Sequence, residues 1–258
     1  MTKPIVFFDI DGTILNHDKV IPESTKKAIS ELQNKDIHVA IATGRAPFMF
    51  KELRDELNIN TFVSLNGQYA EFEGETIHTH ALHPEQLHQF AQRAKELDVP
   101  LVYLNNETMK ASIETHPHIK EAMTSIRMHH PEVQLDFYHN RDIYQVLLFC
   151  EEHEESKLTD GFNDFNFIRW HEYSSDVLPI GGSKANGIQQ MVNHLGFDMN
   201  NVIAFGDGLN DLEMIEKVGT GIAMGNAVQP LKKLANHITT NVDEDGILNG
   251  LKWAGLLK

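Results

Sequence analysis

Apolar residues are distributed along this chain in two rhythms. The first is a set of short, unbroken apolar runs: Ile5-Val6-Phe7-Phe8, then Val39-Ala40-Ile41-Ala42, then Thr61-Phe62-Val63-Ser64-Leu65. Runs without alternation read as strands buried on both faces, as in a parallel sheet. Between them the apolar spacing turns helical. Ala28, Ile29 and Leu32 mark a helix from Ser24 to Lys35 with Pro22 at its entry, and Phe50, Leu53 and Leu57 mark another behind Pro47. The order β-α-β-α-β with short connections predicts a doubly wound parallel sheet, an α/β fold. Glu73-Gly74, between the runs Tyr69 to Phe72 and Thr76 to His80, predicts a hairpin.

The second rhythm begins near residue 82. Leu87, Phe90, Ala91, Ala94 and Leu97 predict an amphipathic helix, Pro100 to Leu104 a strand, and Ile119, Met123 and Ile126 another helix. Strands are expected at Ile143 to Phe149 and Phe165 to His171, with the acidic run Glu151 to Glu155 between them as a solvated face or loop. The doubly wound rhythm resumes at Gly181-Gly182-Ser183-Lys184. Ser183 is the expected N-cap of a helix carrying Ile188, Val192 and Leu195 and stopped by Gly196. Val202-Ile203-Ala204-Phe205 is a buried strand that delivers into Gly206-Asp207-Gly208-Leu209-Asn210-Asp211. A helix from Leu212 and short strands at Gly221 to Met224 and His237 to Thr240 complete the sheet. The expected organisation is therefore a core domain built from 1–81 and 184–258, with an α+β domain inserted at 82–183.

Composition narrows the classes. The chain has 258 residues and a formal net charge of −15, which disfavours nucleic acid and anionic membrane surfaces as partners. No apolar run approaches the ~20 residues needed to span a bilayer. The start Met1-Thr2-Lys3-Pro4 leads straight into the first strand, so no signal peptide is expected, and Cys150 as the one cysteine agrees with a cytoplasmic protein. Fifteen histidines include the pairs His78/His80, His116/His118 and His129/His130. None has tight ligand spacing joined to a second cluster, and solvated surface histidines are expected rather than zinc.

Four polar clusters close apolar strands or open a helix: Asp9/Asp11, Thr43-Gly44, Lys184, and Asp207 with Asn210-Asp211. In a parallel sheet all strand carboxyl ends lie on one edge, where ligands bind, so the strand-end clusters should converge. Asp9 and Asp11, at i and i+2, share a face, and Gly12 permits a sharp exit. Carboxylates at adjacent strand ends make a hard oxygen site suited to Mg²⁺. Thr43, the amides after it and Lys184 supply the donors and positive charge a phosphate needs. Neither a P-loop nor G-x-G-x-x-G is present.

Asp9-Ile10-Asp11-Gly12-Thr13, Ala42-Thr43-Gly44-Arg45, Lys184 and Gly206-Asp207-Gly208-Leu209-Asn210-Asp211 resemble, in order and spacing, the four motifs of the haloacid dehalogenase-like phosphohydrolases. The insertion and the Gly-Asp-Gly-x-Asn-Asp ending resemble the Cof-like subfamily, with its large cap. The resemblance implies a Mg²⁺-dependent phosphatase of small phosphorylated metabolites. Asp9 would be the nucleophile that becomes an aspartyl-phosphate, and Asp11 the acid/base. It further implies Asp9, the Asp11 carbonyl and Asp207 as metal ligands, with Asp211 nearby holding metal waters or orienting Lys184. Ile10, Thr43, Gly44, Lys184 and Asn210 would bind the phosphoryl group. Arg45 is open between a structural ion pair and a substrate-facing role. Tyr103, Arg127, His129 and Arg141 are polar cap positions, expected at the surface rather than on a ligand. The expected partner is a small phosphate ester, and the chain a monomer or small homo-oligomer. A phosphotransferase or phosphomutase on the same site, or a non-catalytic phosphometabolite-binding module, are the alternatives.

Overall fold

The computed structural model describes residues 4–258; the expectation about the leader concerns Met1 to Lys3 and lies outside them. In chain order the elements begin β1 (Ile5–Phe8), α1 (Glu23–Asn34), β2 (His38–Ala42), α2 (Lys51–Leu57), β3 (Phe62–Ser64), β4 (Tyr69–Phe72) and β5 (Glu75–Thr79). They continue with α3 (Pro84–Glu96), β6 (Leu101–Leu104), β7 (Met109–Ala111), α4 (Pro117–Ser125), β8 (Gln145–Leu148), α5 (Glu152–Thr159), β9 (Phe165–His171) and β10 (Ser174–Pro179). The last part holds α6 (Lys184–Leu195), β11 (Val202–Gly206), α7 (Leu212–Lys217), β12 (Thr220–Ala223), α8 (Gln229–Leu234), β13 (His237–Ile238) and α9 (Gly246–Trp253). These fall into two compact units. The first runs to Arg45 and adds Met49–His78 and Ser183–Lys258; the second comprises Ala46–Phe48 and Thr79–Gly182.

In the first unit the sheet order is β13-β12-β11-β1-β2-β3-β4-β5, parallel from β13 to β3 and antiparallel where β4 joins β3. The unbroken apolar runs make sense here. β1 is wholly buried because helices cover both faces: α1, α2 and α9 on one, α6, α7 and α8 on the other. Strands β2 and β3 add outward on one side of β1, whereas β11 returns on its other side and β12 and β13 extend from there. Right-handed crossovers in opposite directions put the helices on opposite faces. The order therefore reverses between β1 and β11, where doubly wound sheets place their ligands. At the far edge the β4–β5 turn carries Glu73 and Gly74 at φ 49 and 89, the pair of positive angles a two-residue hairpin needs.

The helix expected behind Pro47 is split: Pro47–Phe50 form a 3₁₀ turn, and α2 starts only at Lys51. Ser183 caps α6 by accepting from the Asn186 amide at 3.2 Å, and Gly196 ends the helix at φ 67.

The second unit is a five-stranded sheet, β7-β6-β8-β10-β9, with every pairing antiparallel. One of its faces packs against α3 and α5 through Leu87, Phe90, Ala94, Leu101, Val146, Leu148 and Leu158. The acidic run Glu151 to Glu155 is a largely solvated face, as expected, and it opens α5, where carboxylates favour the positive end of a helix. Only Glu155 is drawn in, by an ion pair with Arg169 and a 2.7 Å hydrogen bond from Ser175. One expectation is corrected. Tyr103 is not at the surface: it is 2% exposed and packs on Tyr138 at 5.0 Å between ring centres. The period-two alternation of β6 turns it inward with Leu101. Arg127, His129 and Arg141 are exposed as expected. His116, His118 and His130 are only partly exposed, and His118 stacks on Tyr173 at 4.4 Å. Among the described residues no helix is long and apolar enough to cross a membrane.

Candidate active site

The carboxyl ends of β1 and β11 define the site. The Asp9 amide donates to the Phe205 carbonyl at 3.0 Å, extending the β1–β11 ladder by one residue and setting Asp9 beside the start of the Asp207 loop. The chain then turns at once: Ile14 and Leu15 donate back to the carbonyls of Asp9 and Ile10 at 3.2 and 2.8 Å. Gly12 is required at this turn. It sits at φ 80, and a Cβ there would lie 2.2 Å from Asp207 Oδ2. The Ile10 side chain points into the core and is fully buried, leaving Asp9 and Asp11 on the site side of the turn.

Lys184 enters from the first turn of α6. Its side chain is wholly buried and donates to Asp9 Oδ1 at 2.6 Å and Asp211 Oδ1 at 2.7 Å. Two glycines let the helix approach closely enough. A Cβ on Gly67 would meet the Ser183 carbonyl oxygen at 1.9 Å, and one on Gly187 would meet Val63 at 2.5 Å. Asp211 is heavily engaged: besides Lys184 on Oδ1, its Oδ2 accepts from the Asp207 and Gly208 amides, both at 2.9 Å. Its place is therefore to orient Lys184 and to hold the Asp207 loop.

Asp9, Asp207 and Asp211 bring carboxylate oxygens within 4.8 Å of one another, the only such group of potential metal ligands among the described residues. One ammonium cannot balance three carboxylates at this spacing. Burial raises Asp9 well above the usual carboxylate range, with Asp211 and Asp207 adding to the effect against the pull of Lys184. Burial, with Asp211 beside it, pushes Asp207 up to about 7. Burial works against the charge on Lys184, but Asp211 and Asp9 outweigh it and hold its affinity for the proton above that of an ordinary lysine. An all-oxygen cluster with uncompensated charge fits a hard divalent cation. Asp9 and Asp207 are the candidate ligands with more open oxygen sites, since three hydrogen bonds already engage Asp211.

Asp11 faces a different set of partners. Arg45 Nε donates to its Oδ2 at 2.8 Å and Nη2 to its Oδ1 at 2.7 Å, and Lys19 Nζ donates to Oδ1 at 2.5 Å. Burial raises Asp11, but these two cations overcome it and hold the carboxyl below its usual value. The two aspartates of the motif are thus driven in opposite directions. The ion-pair alternative for Arg45 is the arrangement observed.

Thr43 and Gly44 end β2 on the same edge. Thr43 is 2% exposed and its Oγ1 accepts from the Arg45 amide at 3.1 Å. Asn210 Nδ2 donates to Asn66 Oδ1 at 3.2 Å, and Gly44 lies against the same Asn66 side chain. Asn66 and Leu65 both hold left-handed angles, φ 53 and 52. For leucine that conformation carries strain of order 1 kcal/mol, characteristic of residues fixed by a functional site. Asn226, after β12, donates to the Gly12 carbonyl at 2.8 Å and toward Asp207 Oδ2 at 3.4 Å. All the sequence-predicted site residues thus belong to the first unit and lie along the strand-end edge. Lys19, Asn66 and Asn226 were not anticipated. Asn66-Gly67 and Gly225-Asn226 each follow an apolar strand, and that position was their signal. Lys19 had none.

Comparison with known proteins agrees with this geometry. The profile of the haloacid dehalogenase-like hydrolases matches residues 6–251, and the chain belongs to that family. It is 49% identical over 258 residues, the full length of both chains, to the Bacillus subtilis (strain 168) protein named "Putative phosphatase YkrA". Over 267 residues, 97% of each chain, it is 28% identical to the 5-amino-6-(5-phospho-D-ribitylamino)uracil phosphatase YitU of the same organism. A solved sugar phosphatase of subclass IIB superposes with a TM-score of 0.88 at 29% identity, covering 99% of this chain and all of that one.

Proposed function

We propose that the protein is a Mg²⁺-dependent phosphatase of small phosphorylated metabolites that works through an aspartyl-phosphate on Asp9. The observation that carries this reading is the buried Asp9 carboxylate at the switch point of the sheet, fixed by Lys184 at 2.6 Å and beside Asp207. The family, and relatives named as phosphatases, support the reaction class.

Asp9 Oδ2, the oxygen not bonded to Lys184, attacks phosphorus as the bond to the leaving oxygen breaks. Lys184 keeps Asp9 oriented and offsets charge accumulating on the phosphoryl oxygens. The Thr43 hydroxyl, the Gly44 and Ile10 amides and the Asn210 side-chain amide donate to those oxygens. Asp11, ionised against Arg45 and Lys19 in the free site, takes up a proton as the phosphate ester binds and gives it to the departing alkoxide. As carboxylate it then takes the proton of the water that hydrolyses the acyl phosphate. Asp9, Asp207 and the Asp11 carbonyl are the residues that would hold Mg²⁺, which supplies charge neutralisation between an anionic nucleophile and an anionic phosphate. The unit inserted between β5 and α6 acts as a cap that selects the leaving group and limits water during the first step. Relatives named as a 5-amino-6-(5-phospho-D-ribitylamino)uracil phosphatase and an HMP-PP phosphatase, and a solved sugar phosphatase, support a substrate among small phosphorylated metabolites such as sugar phosphates, nucleotides or phosphorylated cofactors. Purified protein with p-nitrophenyl phosphate tests the reading. Nitrophenolate release that requires Mg²⁺ and vanishes in Asp9→Asn is expected; no release, or release surviving that substitution, contradicts it. A panel of phosphorylated metabolites then identifies the preferred substrate.

A further inference from the structure

Lys19 lies outside the four motifs and packs no core, yet its amine reaches Asp11 at 2.5 Å. The backbone that delivers it is unusual. Lys19 sits at φ 58, the left-handed region that a long side chain occupies at a cost of roughly 1 kcal/mol and that glycine or asparagine would fill more easily. The turn is pinned around it. The Lys19 amide donates to the Asn16 carbonyl at 2.9 Å, and the Val20 amide to Asn16 Oδ1 at 3.0 Å. Asn16 in turn donates to Asp243 Oδ1 at 2.7 Å, anchoring the turn to the segment before α9. The Lys19 side chain is 22% exposed, so an ordinary solvated lysine does not describe it.

We propose that Lys19 is a positioning residue for Asp11: with Arg45 it grips the carboxylate from two sides and fixes where the acid/base stands. The grip is geometrically complete. Arg45 engages both oxygens and so sets the plane of the carboxylate, while Lys19 meets Oδ1 from the preceding turn and stops the side chain from swinging about its own χ angles. This role rests on the phosphatase reading, because Asp11 has a proton to transfer only if a phosphate ester is cleaved. Proton transfer depends on placement within a few tenths of an ångström, so loosening Asp11 should matter most where the leaving group needs a proton.

The test is kcat/KM for a series of substituted phenyl phosphates, from p-nitro to p-methoxy, with wild type, Lys19→Met and Lys19→Arg in saturating Mg²⁺. kcat/KM reports steps up to the first irreversible one, phosphoryl transfer to Asp9. The p-nitrophenolate leaves unassisted, and its kcat/KM in Lys19→Met should change less than about twofold; p-methoxyphenolate needs the proton, and its value should fall about tenfold. Lys19→Arg should restore most of the loss. In an Asp11→Asn background Lys19→Met should have no further effect on either ester, since the residue it positions has lost its acid. An equal fall for both esters, no fall for either, or an undiminished effect in the Asp11→Asn background overturns the proposal. The two readings fail separately. A wild type that cleaves no ester removes the phosphatase reading and this role with it, whereas an active wild type with a uniform loss in Lys19→Met removes only the role of Lys19.

Discussion

Replacing Lys184 with methionine removes the single ammonium between Asp9 and Asp211 while nearly preserving side-chain volume. The lysine side chain is 0% exposed and its partners are 9% and 0% exposed, so no water can take its place. Breaking such a buried pair by deleting one member costs roughly 3–5 kcal/mol, because the remaining charges are stranded. At roughly 2–4 °C per kcal/mol for a chain of this size, the melting temperature should fall by roughly 10 °C. The pH dependence has a definite sign. The folded-state affinity of Lys184 for its proton is raised above the ordinary 10.5, so its stabilisation is fully present below pH 10.5 and lost only above that. In the variant, Asp9 can relieve its repulsion with the neighbouring carboxylates by taking up a proton. Asp9 is already raised above 3.8, so the folded variant binds more protons than the unfolded chain as pH rises from 4, and its deficit widens from pH 4 toward pH 8. Circular dichroism melts of both proteins in EDTA at pH 5 and pH 8 measure this. A Lys184→Met protein melting within about 2 °C of wild type at pH 8 would refute the placement of Lys184 as the internal counter-charge.

Other outcomes follow from the same geometry. Asp9→Asn should abolish turnover yet melt at or above the wild-type temperature, because a buried carboxylate held against its preference is removed while Lys184 keeps Asp211. Asp207, pushed up to about 7, binds a proton in the folded state between pH 4 and 7. Metal-free stability should therefore fall across that window as pH rises, by at most about 4 kcal/mol and by about half that after solvent screening. Mg²⁺ should correspondingly raise the melting temperature more at pH 8 than at pH 5, and Asp207→Asn should lose most of that difference. Gly67→Ala, whose Cβ would lie 1.9 Å from a backbone oxygen at φ 97, should cost more than about 2 kcal/mol by denaturant titration and should displace Lys184.

The core was legible because its strands are buried on both faces and so appear as unbroken apolar runs, and because a parallel sheet carries all their carboxyl ends to one edge. That rule alone brings Asp9, Thr43 and Asp207 together from distant segments. What the pattern hides is contact chemistry. Arg45 is an arginine after Thr-Gly in the sequence, and only the fold shows its guanidinium closing on Asp11. Lys19 follows no period, because a turn has none. Asn66 and Asn226 stand at strand ends like the motif residues, but nothing local separates them from ordinary turn asparagines. In the inserted unit β7, α5 and β10 were missed: β7 has three residues, too few to alternate, and β10, Ser174–Pro179, opens on Ser-Ser-Asp and ends in proline, so it shows no apolar run. The first turn of α5 is so charged that its one buried residue, Leu158, gives no stripe. Tyr103 misled because a hydroxyl suggests solvent, while the alternation of β6 governs where the ring goes.

That Asp9 itself carries the phosphoryl group can be read out in the Asp11→Asn variant. Nitrophenolate needs no proton to leave, so this variant should still be phosphorylated by p-nitrophenyl phosphate but should lack the base that activates water. The acyl phosphate should accumulate. Acid quenching, borohydride reduction and peptide mass spectrometry should then find homoserine in place of aspartate at position 9. Unmodified Asp9 in that variant, under conditions where wild type turns over, would contradict the account.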